Sequence, residues 1–141
     1  MPFITKQYKF CSAHRYWNEK WSNEKNREIF DKDVSLHGHN YLLYVTISGP
    51  VNPESGFIVN LKDLNALVHE NVLEIMDHSQ IEKDIEWFKN RQPSTENMVM
   101  FIWDQIAHHI PNPARLQSIK LQETPSIFTE YFGPEEGNDT N

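Results

Sequence analysis

An α+β domain, in which four antiparallel strands carry two helices on one face, is predicted by three observations. Two segments toward the N-terminus have strand chemistry, two in the middle repeat apolar residues at helical spacing, and two short segments near the C-terminus flank a tight turn. Grouped strands followed by grouped helices and then a hairpin, ββααββ, place the helices together against an antiparallel sheet.

Each element has its own signature. Residues 3–14, FITKQYKFCSAH, are rich in aromatic and β-branched side chains, and residues 41–48 place Tyr41, Leu43, Val45 and Ile47 at period two. Both read as strands able to pair antiparallel. GPVNPESG at 49–56 is a turn cluster, and FIVN at 57–60 reads as a brief strand leading to a helix capped by Asn60. That helix carries Leu64, Leu67, Val68, Val72 and Ile75 on one stripe and stops near Asp77. Pro93 and Ser94 open the second helix, Glu96 suits its N-terminal dipole, and Val99, Ile102, Trp103, Ile106 and Ile110 form its apolar face until Pro111 and Pro113 end it. Residues 116–123 and 127–132 flank TPS and read as a hairpin.

Composition narrows the function classes. A chain of 141 residues with 38% hydrophobic content suits one domain with a modest core, here residues 1–133, followed by a polar tail at 134–141. With 20 acidic against 13 basic side chains, the charge argues against a nucleic-acid surface while leaving room for a local pocket for a small anion. No run reaches the roughly 18 apolar residues of a membrane span and no signal-like apolar region opens the chain, so a cytoplasmic protein without a membrane partner is expected. The single cysteine, Cys11, excludes a disulfide framework and a Cys-rich zinc finger. One sheet face and the sheet edges stay uncovered by two helices, and a symmetric oligomer resolves this economically.

The chemistry concentrates in HGHN. Alternate residues of a strand share a side, so His37 and His39 present both imidazoles together, roughly 7 Å apart at Cα. Gly38 leaves room between them. Antiparallel pairing makes His14, at the end of the first strand, the natural third ligand of an open zinc site. Asp77 and His78 follow a helix end, where a carboxylate can fix the tautomer of its imidazole, although the same pair also serves as a helix C-cap. Glu123 closes a strand as either a solvated carboxylate or a two-point acceptor for an amidine-like heterocycle edge. His108 and His109 suit a helix C-terminus, and His69 a solvated helix face.

Together the motifs FCSAHRYW, HGHNY, GFIVNLKDL, MDHSQI, PSTENMVMFIWDQI and LQETPS occur in the order seen in the 6-pyruvoyl-tetrahydropterin synthase and 6-carboxy-tetrahydropterin synthase family, which the chain resembles up to Gly133. The resemblance implies the tunnelling fold, whose four-stranded sheets join into barrels and whose trimers stack into a homohexamer with active sites between subunits. It implies a zinc-dependent lyase acting on the side chain of the pterin 7,8-dihydroneopterin triphosphate. It makes His14, His37 and His39 the Zn2+ ligands, Asp77 and His78 members of a proton relay, Glu123 the pterin anchor, and Ser94 and Thr95 hydroxyls that help hold the ring.

One position departs from the family pattern. Both named activities place a catalytic cysteine a few residues before HGH, where this chain has Asp33. A poorly solvated carboxylate can act as base in its place. Cys11, three residues before His14, falls on the opposite face of a regular strand and reads as a small hydrophobe. Members with an acidic residue in this region are associated with side-chain cleavage to a 6-hydroxymethyl-pterin for folate synthesis. That outcome stands as an alternative to a biopterin-like or queuosine route, as does a non-catalytic pterin-binding member of the fold.

Overall fold

The computed structural model describes residues 1–135 of the chain. Strands β1 (Phe3–His14), β2 (His37–Ser48), β3 (Arg115–Thr124) and β4 (Ile127–Tyr131) form one antiparallel sheet in chain order. β1 and β2 pair without a break from Phe3 opposite Ser48 to His14 opposite His37, so the strand ends meet at the histidines.

Three longer helices accompany the sheet: α1 (Asn23–Phe30), α2 (Leu61–Val68) and α3 (Thr95–Ile106). The core lies between the sheet and the last two. Tyr41, Leu43, Val45 and Ile47 from β2, with Ile119 and Leu121 from β3, meet Leu64 and Val68 of α2 and Met98, Ile102 and Ile106 of α3, all almost fully buried. Burying each such aliphatic side chain stabilises the fold by roughly 1.5–3 kcal/mol before entropy is charged against it. Asn60 caps α2 by accepting from the Lys62 N–H, and Ser94 caps α3 by accepting from the Asn97 N–H, as the sequence leads one to expect.

The structure corrects several details. β2 begins at His37 rather than Tyr41, which lengthens the ladder and brings HGH into it. FIVN is not a strand; it is an irregular approach to α2. After Val68 the helix continues through a π turn, His69–Leu73, and a last turn, Glu74–Met76. The wider turn keeps residues four apart aligned, so Val72 and Met76 are buried and Ile75, assigned to the apolar stripe, is 38% exposed. Helix α1 has no counterpart in the expected layout. Its residues, NEKNREIF, carry no apolar stripe, and the buried member is Asn26, whose amide bonds to Asn18 and Ser22 backbone atoms and ties the loop after β1 together.

Among the described residues no helix is long and apolar enough to cross a membrane. Residues 136–141 of the expected tail lie outside the described residues.

Candidate metal centre and active site

Strand parity builds the centre. Phe10, Ser12 and His14 alternate inward along β1, and His37, His39 and Tyr41 do the same along β2. Gly38 suits the position between the two histidines because a Cβ there would stand a tight 3.1 Å from the Ser12 carbonyl oxygen across the ladder. The three imidazoles cluster with centroids 4.6 Å apart for His14 and His37, and 5.1 Å for each of the other two pairs.

Backbone carbonyls fix which nitrogen faces inward. His14 Nδ1 donates to Pro93 O at 2.8 Å and His37 Nδ1 donates to Ser35 O at 2.8 Å, which leaves Nε2 of each ring as the lone-pair donor. His14 Nε2 and His39 Nε2 are buried without a hydrogen-bond partner. Glu123 Oε1 comes within 2.7 Å of His39 Nε2 and 3.5 Å of His14 Nε2, but the first contact is out of line for a hydrogen bond and the second is long as well. One ligand atom from each of His14, His37, His39 and Glu123 lies within 4.8 Å of all the others. Buried, unsatisfied imidazole nitrogens converging beside a carboxylate fit a divalent metal, and oriented Nδ1 atoms are what metal-bound histidines commonly show.

The electrostatics agree with that donor set. Burial lowers the pKa of His39, with the neighbouring Glu123 acting in the opposite sense, which favours the neutral ligand form. Glu123 is held below the usual carboxylate range, first by the approach of His14 and further by the charges of His39 and His37, against the effect of its own burial. Beneath the cluster, burial pushes the Tyr16 and Tyr41 hydroxyls far up, so both stay protonated.

Asp33 belongs to the helical turn Asp31–Val34, which β1's continuation anchors through the Tyr16 N–H donating to Asp33 O at 2.9 Å. Its carboxylate lies 3.6 Å from His37 Nε2 and stays 58% exposed. It therefore borders the histidine cluster while remaining open to a molecule arriving from solvent.

Asp77 and His78 are held against the free edge of β1. The Ala13 N–H donates to Ser79 O at 2.8 Å and the His78 N–H donates to Cys11 O at 2.6 Å. In return the Cys11 N–H donates to Asp77 Oδ1 at 3.0 Å, and this bond is the main reason the Asp77 pKa is lowered. Asp77 Oδ2 lies 3.0 Å from His78 Nδ1. His78 adopts φ 63°, a left-handed conformation unusual for a non-glycine residue. The Cys11 side chain does face away from His14, yet Asp77 and His78 reach it around the edge. Its Sγ lies 3.7 Å from Asp77 Oδ1 and 3.8 Å from His78 Nε2. No local spacing could link residues 66 and 67 positions apart, and the sequence reading missed this contact.

A cleft of about 810 Å³ is lined by Cys11, His39, Tyr41, Asp77, Gln122 and Glu123. Ser94 and Thr95, expected to hold a ring, have their hydroxyls engaged. Ser94 Oγ accepts from the Asn97 N–H, and Thr95 Oγ1 lies 2.8 Å from Thr129 Oγ1 on β4.

Comparison with known proteins bears on these features. The sequence profile of the family described as 6-pyruvoyl tetrahydropterin synthase matches residues 3–134. The chain is 33% identical over 136 residues to a 6-pyruvoyl tetrahydrobiopterin synthase of Drosophila melanogaster, covering 95% of this chain and 81% of that one. It is 35% identical over 130 residues to the Dictyostelium discoideum protein of the same name, covering 92% and 95%. The solved structure of Caenorhabditis elegans 6-pyruvoyl tetrahydropterin synthase superposes with a TM-score of 0.86 at 33% identity, covering 95% of this chain and 98% of the other.

Proposed function

The chain belongs to the 6-pyruvoyl tetrahydropterin synthase family, and from that premise we propose that it is a zinc-dependent lyase acting on the side chain of 7,8-dihydroneopterin triphosphate. The observation that carries the reading is the convergence of His14 Nε2 and His39 Nε2, buried and unsatisfied, beside Glu123, which with His39 lines a cleft large enough for a pterin.

In this reading His14, His37 and His39 hold the metal and Glu123 anchors the ring. A bound zinc ion would acidify the protons of a coordinated side-chain hydroxyl and neighbouring carbon, and stabilise negative charge developing there. The Glu123 carboxylate, kept ionised by its neighbours, accepts two N–H donors from the amino-pyrimidinone edge and so sets the side chain's position. Asp33, bordering His37 yet open to solvent, takes the proton released from the substrate. Asp77 orients the His78 imidazole for proton transfer.

The carboxylate at residue 33 favours a second outcome at the same site. Removing a hydroxyl proton to cleave the carbon chain asks less of a base than removing a carbon-bound proton, so cleavage to a 6-hydroxymethyl-dihydropterin suits Asp33 better than it suits the pyruvoyl-forming route. A homohexamer with clefts between subunits accords with the exposed Phe3, Phe128 and Phe132 around the sheet. A cytoplasmic setting accords with a single free cysteine.

Zinc-loaded protein incubated with 7,8-dihydroneopterin triphosphate should convert it to a dihydropterin of lower mass, identified as the pyruvoyl, carboxy or hydroxymethyl product. Recovery of intact substrate after prolonged incubation with stoichiometric zinc would contradict the lyase reading.

A further inference from the structure

We propose that Gln92 is a positioning residue of the metal centre: through the carbonyl of the next residue, Pro93, it holds the His14 imidazole in the tautomer and orientation that aim Nε2 at the metal. The proposal rests on the metal-centre reading for the ion. The chain of bonds from Gln92 to the imidazole stands on geometry alone.

The acceptor that fixes His14 is a carbonyl left over by the helix start. His14 Nδ1 donates to Pro93 O at 2.8 Å, and the Tyr16 hydroxyl donates to the same oxygen at 3.4 Å. The ladder of α3 begins past it, because the Met98 N–H donates to Ser94 O and the Asn97 N–H to Ser94 Oγ. Proline has no N–H of its own with which to be tied down, so the placement of its carbonyl falls to its neighbours.

Gln92 is tied at three points. The Trp17 N–H donates to Gln92 Oε1 at 3.2 Å, and Gln92 Nε2 donates to Trp17 O at 3.0 Å. The side-chain amide thus pairs with Trp17 as a neighbouring strand would, three residues beyond His14 and past the end of β1. The Gln92 carbonyl accepts from Asn97 Nδ2, in the first turn of α3, at 2.9 Å. The chain leaving β1 is held by similar means throughout: the N–H groups of Arg15, Tyr16 and Asn18 donate to Glu82 Oε1, Asp33 O and Asn26 Oδ1. The bond at Trp17 is the one whose partner adjoins the acceptor of a metal-facing histidine.

Removing the Gln92 side chain releases Trp17 and the Gln92–Pro93 peptide together, and the carbonyl can then turn away from Nδ1. His37 supplies an internal reference, since its Nδ1 donates to Ser35 O on a separate segment. Disturbing the hydrogen-bond partner of a ligating histidine typically weakens metal binding by about 10–100-fold.

The native oligomer, labelled with 15N-histidine and loaded with zinc, reports the ring directly by NMR, and chelator competition reports zinc affinity. In Gln92→Ala the His14 Nδ1–H should exchange with solvent at least about tenfold faster than in wild type, while the His37 Nδ1–H keeps its rate. Zinc affinity should fall by about tenfold or more in the same variant. Asn97→Ala, which frees the Gln92 carbonyl alone, should move both readouts in the same direction by a smaller factor. Gln105→Ala loses a side-chain bond of the same kind on α3, to Asn71 O, and should bind zinc within about twofold of wild type. Unchanged His14 exchange in Gln92→Ala would overturn the proposal, as would zinc affinities that fall equally in Gln92→Ala and Gln105→Ala, the mark of general loosening. A wild type that takes up no zinc would count against the metal centre alone, and the His14 exchange rates in the metal-free proteins would still decide whether Gln92 positions the ring.

Discussion

His14 and Cys11 stand three residues apart on β1 and belong to opposite environments. His14 is fully buried, with one ring nitrogen fixed by the Pro93 carbonyl and the other aimed at His37, His39 and Glu123. Cys11 lies on the other face, at a strand edge, in the company of the largely exposed Asp77 and His78. One strand thus carries a preorganised donor set on its inner face and a thiol among polar side chains on its outer edge. The first is rigid because the core and backbone carbonyls surround it. The second depends on a short segment held by a few hydrogen bonds and a strained backbone.

The largest effect should come from the buried side. His14→Ala removes a metal ligand, opens a cavity and leaves the Pro93 carbonyl without its donor, so metal should be lost and the metal-free protein destabilised by about 2–4 kcal/mol in urea unfolding. Full stability there would mean that the imidazole is not part of the core.

Asp33→Asn tests the boundary between the two regions. Turnover should fall by about 100-fold while metal content, measured on the same preparation, stays at the wild-type level. Retained turnover would move the base role away from Asp33. Asp33→Cys should shift the product mixture toward the pyruvoyl or carboxy type, as identified by mass.

A smaller change is expected for Glu123→Gln. Replacing one carboxylate oxygen with an amide removes an acceptor from the ring edge, and pterin affinity by fluorescence titration should weaken by about tenfold with zinc retained. Loss of zinc instead would make Glu123 a fourth ligand, the role its 2.7 Å approach to His39 leaves open.

The mildest effect belongs to the exposed edge. Asp77 has its pKa depressed, so it contributes stability that is present above the unfolded carboxylate value and lost as pH falls through the lower folded one. Asp77→Asn should therefore be less stable than wild type at pH 7, and the gap should close as pH falls below the ordinary aspartate range. Urea midpoints at pH 7 and in acid decide this; a gap that widens in acid would reverse the assigned sign.

The comparison also explains how much could be read from sequence. Period-two alternation in β2 and the caps at Asn60 and Ser94 are local signals, and they located the strands and helices that carry the core. HGH parity and the antiparallel ladder together brought His14, His37 and His39 to one place. Helix α1 was illegible because it buries an asparagine instead of an apolar stripe, and the fate of Ile75 was set by a π turn that no periodicity assumes. The Cys11 contact depends on how residues 77–80 lie along β1, a tertiary fact without a local trace.

Metal analysis of protein purified without chelator, alongside a His37→Ala, His39→Ala double variant, tests the central claim most directly. One zinc per chain in the wild type and none in the variant is the expected result. A wild type that neither contains nor retains stoichiometric zinc, or a double variant that keeps it in full, would contradict the metal centre on which the functional reading stands.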